Sequence, residues 1–160
     1  MSVWSGEKVS KFITTPPEIK ISPNSVDIRA SEIFLIPFET EAIFHGKIRE
    51  SKKVKIEPDE QGFYNLENGT YEVRIANEIE IPKNAIGFLL PRSSMNRLGM
   101  IKSETAVWDS GYKGFGTQTV FIPIKKFKIH KDEPWFQVVI MDSESSGTYD
   151  GHWQNEKPKD

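Results

Sequence analysis

The sequence consists largely of short strand-like runs that are separated by turn residues. The runs either alternate between apolar and polar residues or are continuously apolar, and no stretch keeps a helical period for more than a few turns. The clearest runs are EIKIS, SVDIRA, EIFLIPF, TYEVRI, NEIEIP, AIGFLLP and PWFQVVIM. Such a chain is expected to be all-β with little helix, as a sandwich, a jelly roll or a barrel, and periodicity alone does not choose among the three.

Two segments are expected to lie outside the main strands. Residues 47–69 mix both charges with glycine and asparagine, which predicts an exposed hairpin or loop. The polar stretch from about residue 143 is expected to be mobile unless it docks on the rest of the protein. Because 160 residues with 37% apolar content suffice for one modest core, residues 1–160 are interpreted as a single domain.

The composition disfavours several classes of function. The 21 basic and 23 acidic residues nearly cancel, and no long basic run is present, so a nucleic-acid partner is not expected. The absence of cysteine excludes disulfides, thiol nucleophiles and thiolate metal sites. No apolar run approaches the ~20 residues needed to cross a bilayer, and the start, MSVWSGEKVSKF, lacks the apolar core of a signal peptide. These features predict a soluble cytoplasmic protein with no membrane association.

The stretch PRSSMNRLGM, residues 91–100, places serines and arginines at a predicted strand exit. Ser93 or Ser94 is expected to cap a short helix that ends at Gly99, and the free N–H groups of a helix start attract anions. Arg92 and Arg97 add two permanent positive charges that suit phosphate oxygens. On this stretch alone, an ordinary capped turn with surface arginines is the favoured alternative.

A second candidate site is WDSGYKGFG, in which Asp109 and Tyr112 surround a Ser-Gly turn at Gly111. A carboxylate there can act as a general base, a tyrosine ring can pack on a sugar, and a glycine backbone can approach a flat ligand closely. The plainer alternative is simple hairpin chemistry. Asp27, within the strand pattern SVDIRA, is a third candidate, because a carboxylate there needs a partner or a metal-bound water unless it faces outward.

Five ordered stretches together resemble the dUTPase and dCTP deaminase superfamily. They are SPNSVDIRA, IPKNAIGFLLPRSSMNRLGM, TAVWDSGYKGFGTQTVFI, WFQVVI and YDGHWQ, and they cover the chain from about Ile21 to Gln154. The resemblance implies a distorted jelly roll or β-barrel that assembles as a homotrimer with shared active sites. It also implies a deoxynucleoside triphosphate as substrate.

The resemblance assigns roles to the residues of the turn. Asp109 would activate water for in-line attack on the α-phosphorus of dUTP, which releases dUMP and pyrophosphate. Tyr112 would pack on the deoxyribose and exclude a ribose 2′-hydroxyl, while the backbone around Gly111 would read the uracil edge. Trp108 stands where the family usually has a branched aliphatic residue, and it is expected to change the shape of the pocket.

The same resemblance assigns the phosphate side. Ser93 and Arg97 would stabilise the charge that develops on the phosphates, and Gln137 would lie near them. Asp27 would lie by a Mg²⁺ ion that is held mainly by the triphosphate, through water. The residues expected to hold the phosphate chain are Arg92, Ser93, Ser94 and Arg97.

Thr119 separates the two activities of the superfamily. The zinc-free deaminases of this group need a glutamate ten residues beyond the aspartate, and here that position is a threonine, which cannot carry the proton. The sequence therefore favours a dUTP diphosphatase with Thr119 in the substrate pocket. A dCTP deaminase and a non-catalytic deoxynucleotide-binding relative remain as alternatives, since the pattern RSSMNRLG is closer to the deaminases and the tail lacks an arginine.

Overall fold

The protein is described by a computed structural model that covers residues 2–103 and 107–158. Within these ranges the chain is mostly β, which confirms the all-β prediction. The elements in chain order are α1 (Gly6–Ser10), β1 (Lys20–Ile21), β2 (Val26–Ile36), β3 (Ile43–His45), β4 (Ile48–Glu50), β5 (Val54–Ile56), β6 (Phe63–Ile75), β7 (Ile79–Glu80), β8 (Ala85–Pro91), α2 (Ser93–Arg97), β9 (Ile101–Lys102), β10 (Lys113–Gly114), β11 (Thr117–His130) and β12 (Pro134–Asp142).

One large antiparallel sheet organises the described residues. Its strands follow the order β8-β12-β2-β6-β11-β9, and β1 and β5 both pair with β2. Register shifts interrupt three of the pairings, between Ala30 and Glu32, Ile122 and Lys126, and Pro134 and Phe136. Such irregularities bend strands, and they let this sheet curve around its own core. The predicted jelly-roll or barrel architecture is confirmed.

The core shows how one register shift changes the burial of side chains. Strand alternation would place Trp135 and Phe136 on opposite faces, yet both are fully buried. The shift between Pro134 and Phe136 leaves Trp135 without a paired partner on β2, so that both rings turn inward. They join a core that includes Ile28, Ile33, Leu66, Ile75 and Ile140.

Several strand boundaries differ from the sequence prediction. The runs SVDIRA and EIFLIPF form the single strand β2, bent at its register shift. The prediction of a hairpin or loop for residues 47–69 is correct for β4, which forms an exposed hairpin with β3. It is wrong for β5, which pairs with β2 of the large sheet, and for residues 63–69. Those residues begin β6, because Tyr64 and Leu66 alternate into the core while the charged and amide residues face out.

The strand expected before the turn at residues 109–116 falls partly on residues 104–106, which lie outside the described residues. At its described end, Trp108 forms an isolated bridge with Gly87 of β8. Strand β11 follows the turn, as predicted. In the described ranges, no helix combines the length and apolar character required to cross a bilayer.

Asp142, at the end of β12, fastens the N-terminal segment to the sheet. Its carboxylate accepts hydrogen bonds from Ser2 Oγ at 2.6 Å and from Trp4 Nε1 at 2.7 Å. These two bonds hold the pKa of Asp142 below its usual range, and the bond from Ser2 has the larger effect. Trp4 is almost fully buried, so its N–H depends on this carboxylate.

We expect Asp142→Ala to lower the stability of the protein at neutral pH, because Trp4 Nε1 loses its acceptor. A carboxyl whose folded-state pKa is depressed stabilises the fold above its unfolded-state pKa and loses that contribution as the pH falls through the folded-state value. The difference between wild type and variant should therefore shrink in acid. Urea unfolding followed by circular dichroism from pH 7 to pH 3 measures it, with the exposed Glu144→Ala as control. An equal loss at every pH would contradict this role.

Candidate active site

A cavity of about 710 Å³ lies over the outer face of β6 and β11. Three segments surround it: the stretch from Trp108 to Thr119, the exposed residues 37–62, hereafter the excursion, and residues 143–158, hereafter the tail. The excursion contributes Arg49 and Lys53 to the wall. The predicted site residues that line this cavity are Trp108, Asp109, Tyr112 and Thr119.

Asp109 begins a turn that the rest of the fold holds firmly. Tyr112 N donates to Asp109 O at 3.0 Å, and Gly111 takes a φ of +83°, which glycine adopts without strain. On the core side, Gly111 N donates to Ile81 O at 2.9 Å, and Ile81 N donates to Tyr112 O at 2.8 Å. The buried hydroxyl of Ser110 donates to a carbonyl of β8 at 2.7 Å. The turn therefore presents the exposed carboxylate of Asp109 on a fixed backbone.

Three aromatic rings form one cluster beside Asp109. The ring centroids of Trp108 and Tyr112 lie 5.7 Å apart with planes only 3° from parallel, and Tyr149 of the tail meets Tyr112 edge-on. Tyr112 is 4% exposed, and burial raises the pKa of its hydroxyl. Trp108 is half-buried, and its ring is more accessible than that of Tyr112. Packing of Tyr112 on a sugar stays a prediction.

Thr119 faces a carboxylate that the sequence analysis missed. Its cross-strand partner is Glu72 of β6, which lines the same cavity. The Glu72 carboxylate forms an ion pair with Lys53 of the excursion. Alternation in TYEVRI places Glu72 and Arg74 on the polar face of β6, but the register that sets Glu72 opposite Thr119 is fixed only by the fold.

The predicted phosphate-side residues form a second cluster. Asp27 is 5% exposed, and its Oδ2 pairs with Arg92 Nε at 2.8 Å, so the alternative of an outward-facing carboxylate is wrong. Gln137 is the cross-strand partner of Asp27, and its Oε1 accepts from Ser25 Oγ at 3.3 Å. The buried carboxylate thus has the partner that its position in the strand requires.

Helix α2 carries the remaining phosphate-side candidates. Ser93, Ser94 and Arg97 are exposed on its single turn. The predicted capping by a serine is wrong: Arg92 occupies the N-cap position, and no side chain caps the helix. The predicted end is correct, because Gly99 has a φ of +103° directly after the C-cap residue. Both serines are exposed and lie inside the helix rather than at its N-cap position.

The two clusters lie far apart in one chain. Trp108 bridges Gly87 of β8, and α2 begins at Ser93, six residues after Gly87 and two residues beyond the end of β8. At about 3.3 Å per strand residue, the separation from Asp109 to Ser93 is on the order of 20 Å. Asp109 belongs to the cavity, whereas Ser93, Arg92 and their neighbours are not among the residues that line it. The structure therefore does not bring all predicted site residues together around one cavity of the chain.

The tail docks on the turn as an additional short strand. Glu156 forms a parallel bridge with Gly114, Asn155 N donates to Lys113 O at 2.7 Å, and Phe115 N donates to Glu156 O at 2.9 Å. The approach is close: a Cβ on Gly114 would lie 2.9 Å from the Tyr112 hydroxyl and 3.0 Å from Glu156 N. The expected mobility from about residue 143 stays a prediction, and in this conformation the tail covers one side of the turn.

The Glu156 side chain also reaches the cavity wall. Thr117 Oγ1 donates to its carboxylate at 3.1 Å, and Arg74 Nη2 lies 3.6 Å away. Arg74 is 4% exposed and also pairs with Glu32 at 2.9 Å, so one buried guanidinium serves two carboxylates. Burial raises the pKa of Glu156 above its ordinary value. Sequence reasoning missed Glu156, because nothing in a polar tail indicates where it docks.

A family model and several proteins of known name match nearly the whole chain in sequence. The family model described as dCTP deaminase-like matches residues 6–143. A deoxyuridine 5′-triphosphate nucleotidohydrolase of Methanocaldococcus jannaschii is 32% identical over 152 residues, which cover 91% of this chain and 95% of that protein. A probable deoxyuridine 5′-triphosphate nucleotidohydrolase of Methanosarcina acetivorans is 29% identical, and the aligned region covers 99% of this chain and 100% of that protein.

Solved structures support the fold. The 2′-deoxycytidine 5′-triphosphate deaminase of Agrobacterium tumefaciens matches with a TM-score of 0.66 at 13% identity and covers 86% of this chain and 47% of that chain. The EIAV dUTPase matches with a TM-score of 0.53 at 16% identity, and the match covers 88% of this chain and 98% of that chain. At such identities the likeness concerns the fold alone.

We expect Gly114→Ala to detach the tail from the turn, because the new Cβ would press on the Glu156 backbone as well as on the Tyr112 hydroxyl. The amides of Phe115 and Asn155 should then exchange with solvent at least about tenfold faster, as local opening becomes easier. Hydrogen exchange with mass spectrometry or NMR measures this. Gly147→Ala is the matched control, since a Cβ there meets nothing within 4 Å. Equal exchange in the two variants would show that Gly114 does not govern docking.

Proposed function

The chain belongs to the dCTP deaminase-like family, and on that premise we propose that it is a dUTP diphosphatase. The observation that carries the proposal is the placement of Asp109: its exposed carboxylate lies on a hydrogen-bonded turn at the cavity, and Thr119, where a deaminase would need a glutamate, lines the same cavity. The names of the archaeal relatives support the same substrate.

The proposed reaction uses Asp109 as a general base. The carboxylate takes a proton from water while the water oxygen bonds to the α-phosphorus, and the bond from that phosphorus to the bridging oxygen of pyrophosphate breaks. Trp108 and Tyr112 would border the deoxyribose, and the backbone near Gly111 and Thr119 would lie toward the base. The phosphates would contact Arg92, Ser93, Ser94, Arg97 and Gln137.

Magnesium fits this scheme only as an ion carried by the triphosphate, where it would neutralise phosphate charge. Asp27 is the predicted contact, and Arg92 already pairs with its Oδ2. A guanidinium at 2.8 Å disfavours direct binding of a second cation, so Asp27 suits a contact through water. Arg92 is fixed by Asp27 and by a bond from its Nη1 to Pro134 O at 3.4 Å, and its other N–H groups would serve phosphate oxygens.

We also propose a homotrimer with shared active sites. Base and phosphate contacts must lie within one nucleotide length of each other, whereas Asp109 and Ser93 are separated by about 20 Å in one chain. A second subunit that places its α2 beside the turn would complete the site. Exposed apolar residues near α2 and β11 supply surface for such contact, namely Leu98, Ile101, Phe121 and Ile124. A cytoplasmic location stays a prediction.

Product analysis tests the activity. Purified protein with Mg²⁺ and each deoxynucleoside triphosphate should yield dUMP and pyrophosphate from dUTP, resolved by anion-exchange chromatography. Asp109→Asn should lower the rate by at least about 10²-fold, because the proton acceptor is lost, with nucleotide binding retained. Asp150→Asn, an exposed carboxylate in the tail, is the control. Absence of any product from wild type would move the protein to the non-catalytic alternative.

Glu72 gives one specific reason to keep deamination as a second candidate. Its carboxylate lies across from Thr119, within the cavity, although Lys53 neutralises it. Formation of dUTP or dUMP from dCTP, lost in Glu72→Gln, would establish that activity. We expect no product from dCTP with wild type, and the variant Thr119→Glu tests whether a carboxylate at that position is what deamination lacks.

Mixing two inactive variants tests the shared site. Asp109→Asn and Ser93→Ala each damage one half of the site, so co-expressed chains should regain activity wherever an intact turn meets an intact α2. Random assembly predicts recovery of up to about a quarter of the wild-type rate, since each half is intact in about half of the chains. No recovery, with trimers confirmed by light scattering, would place both halves in one subunit.

A further inference from the structure

The structure points to Gln154 as a positioning residue for Asp109. This inference rests on the proposed function, because it concerns the turn that carries the proposed base. Gln154 lies 45 residues beyond Asp109 in sequence and in the half-buried part of the tail. It does not line the cavity itself, although its neighbours Trp153 and Glu156 do, so it would act on the reaction through the segments that it holds in place.

The Gln154 carboxamide bonds to the turn at two points. Its Nε2 donates to Gly111 O at 2.8 Å, and its Oε1 accepts from Lys113 N at 2.9 Å. These two backbone groups flank Tyr112 on either side. A primary amide is the side-chain group that offers a donor and an acceptor side by side, and a carboxylate or an ammonium group offers only one of the two.

The turn is thereby held from both sides. Gly111 N and Tyr112 O bond to Ile81 on the core side, while Gly111 O and Lys113 N face away from the core and bond to Gln154. Gly111 has a φ of +83° and little intrinsic stiffness, so a turn anchored on one side only can change conformation at this residue. Asp109, two residues earlier, lies between Trp108, which pairs with Gly87, and Ser110, which bonds to Ala85 O, so only a small displacement would be passed on to its carboxylate.

The rest of the tail places Gln154 accurately. Asn155 N and Glu156 O pair with the β10 backbone on the same edge, and the Glu156 carboxylate is bound by Thr117. Tyr149 N donates to Ser110 O at 2.7 Å, which fixes the tail ahead of Gln154. The side chain therefore enters its two bonds from a segment that is anchored before and after it, and little conformational freedom is lost on forming them.

Gln154→Met tests the inference, because methionine keeps the length of the side chain and removes both hydrogen bonds. We expect the kcat for dUTP hydrolysis to fall about 10- to 100-fold, since small displacements of a catalytic group are costly, with KM changed by less than about threefold. Gln154→Glu keeps the acceptor and loses the donor, so it should show a comparable loss. Gln61→Met makes the same substitution at an exposed turn and should have no effect.

Hydrogen exchange of the Lys113 amide provides a readout that does not depend on activity. In Gln154→Met this amide should exchange at least about tenfold faster than in wild type, with the Gly111 amide, bonded to Ile81, less affected. Unchanged exchange at Lys113, or an unchanged kcat in an active enzyme, would overturn the inference.

The kinetic measurement and the hydrogen-exchange measurement together separate this inference from the proposed function. If wild type forms no product from any nucleotide, the proposed function fails and the catalytic part of the inference fails with it, while faster exchange would still establish that Gln154 holds the turn. If wild type is active and Gln154→Met raises KM without lowering kcat, then Gln154 serves binding and not the position of Asp109, and the inference is wrong.

Discussion

The long antiparallel pairing of β6 with β11 is the constraint on which the candidate site depends. It joins the two strands from Thr117 and Arg74 to His130 and Phe63, with one irregularity near Ile122. One face of this ladder belongs to the core through residues such as Val73 and Val120, and the other face forms the floor of the cavity. Because side chains alternate strictly along a strand, a shift of one residue would exchange core and cavity.

On this ladder the site is assembled from segments that are distant in sequence. Arg74 contacts Glu32 of β2 and Glu156 of the tail, so one buried charge connects the start of the sheet to the end of the described chain. Breaking a buried ion pair on one side leaves an uncompensated charge, which is costly. The arrangement helps to explain why the tail, although mostly polar, has a defined place against the turn.

The sequence predicted the strands, the turn at Asp109 and the end of α2, because these follow from local alternation and from glycine positions. It did not predict that Glu72 faces Thr119 or that Gln154 spans Gly111 O and Lys113 N. Both depend on register and docking between segments far apart in the chain, which local pattern does not encode. The serine cap failed for a different reason: the N-cap position falls on Arg92, one residue before the first serine, and Ser93 is already the first residue of the helix.

The four tryptophans divide into two optical groups. Trp4 and Trp135 are buried in the core, whereas Trp108 and Trp153 line the cavity, one from the turn and one from the tail. A ligand that enters the cavity changes the surroundings of the second group and leaves the first as a constant background. The protein thus contains its own fluorescent reporter of occupancy, and replacing Trp108 or Trp153 singly by phenylalanine assigns the signal to the turn or to the tail.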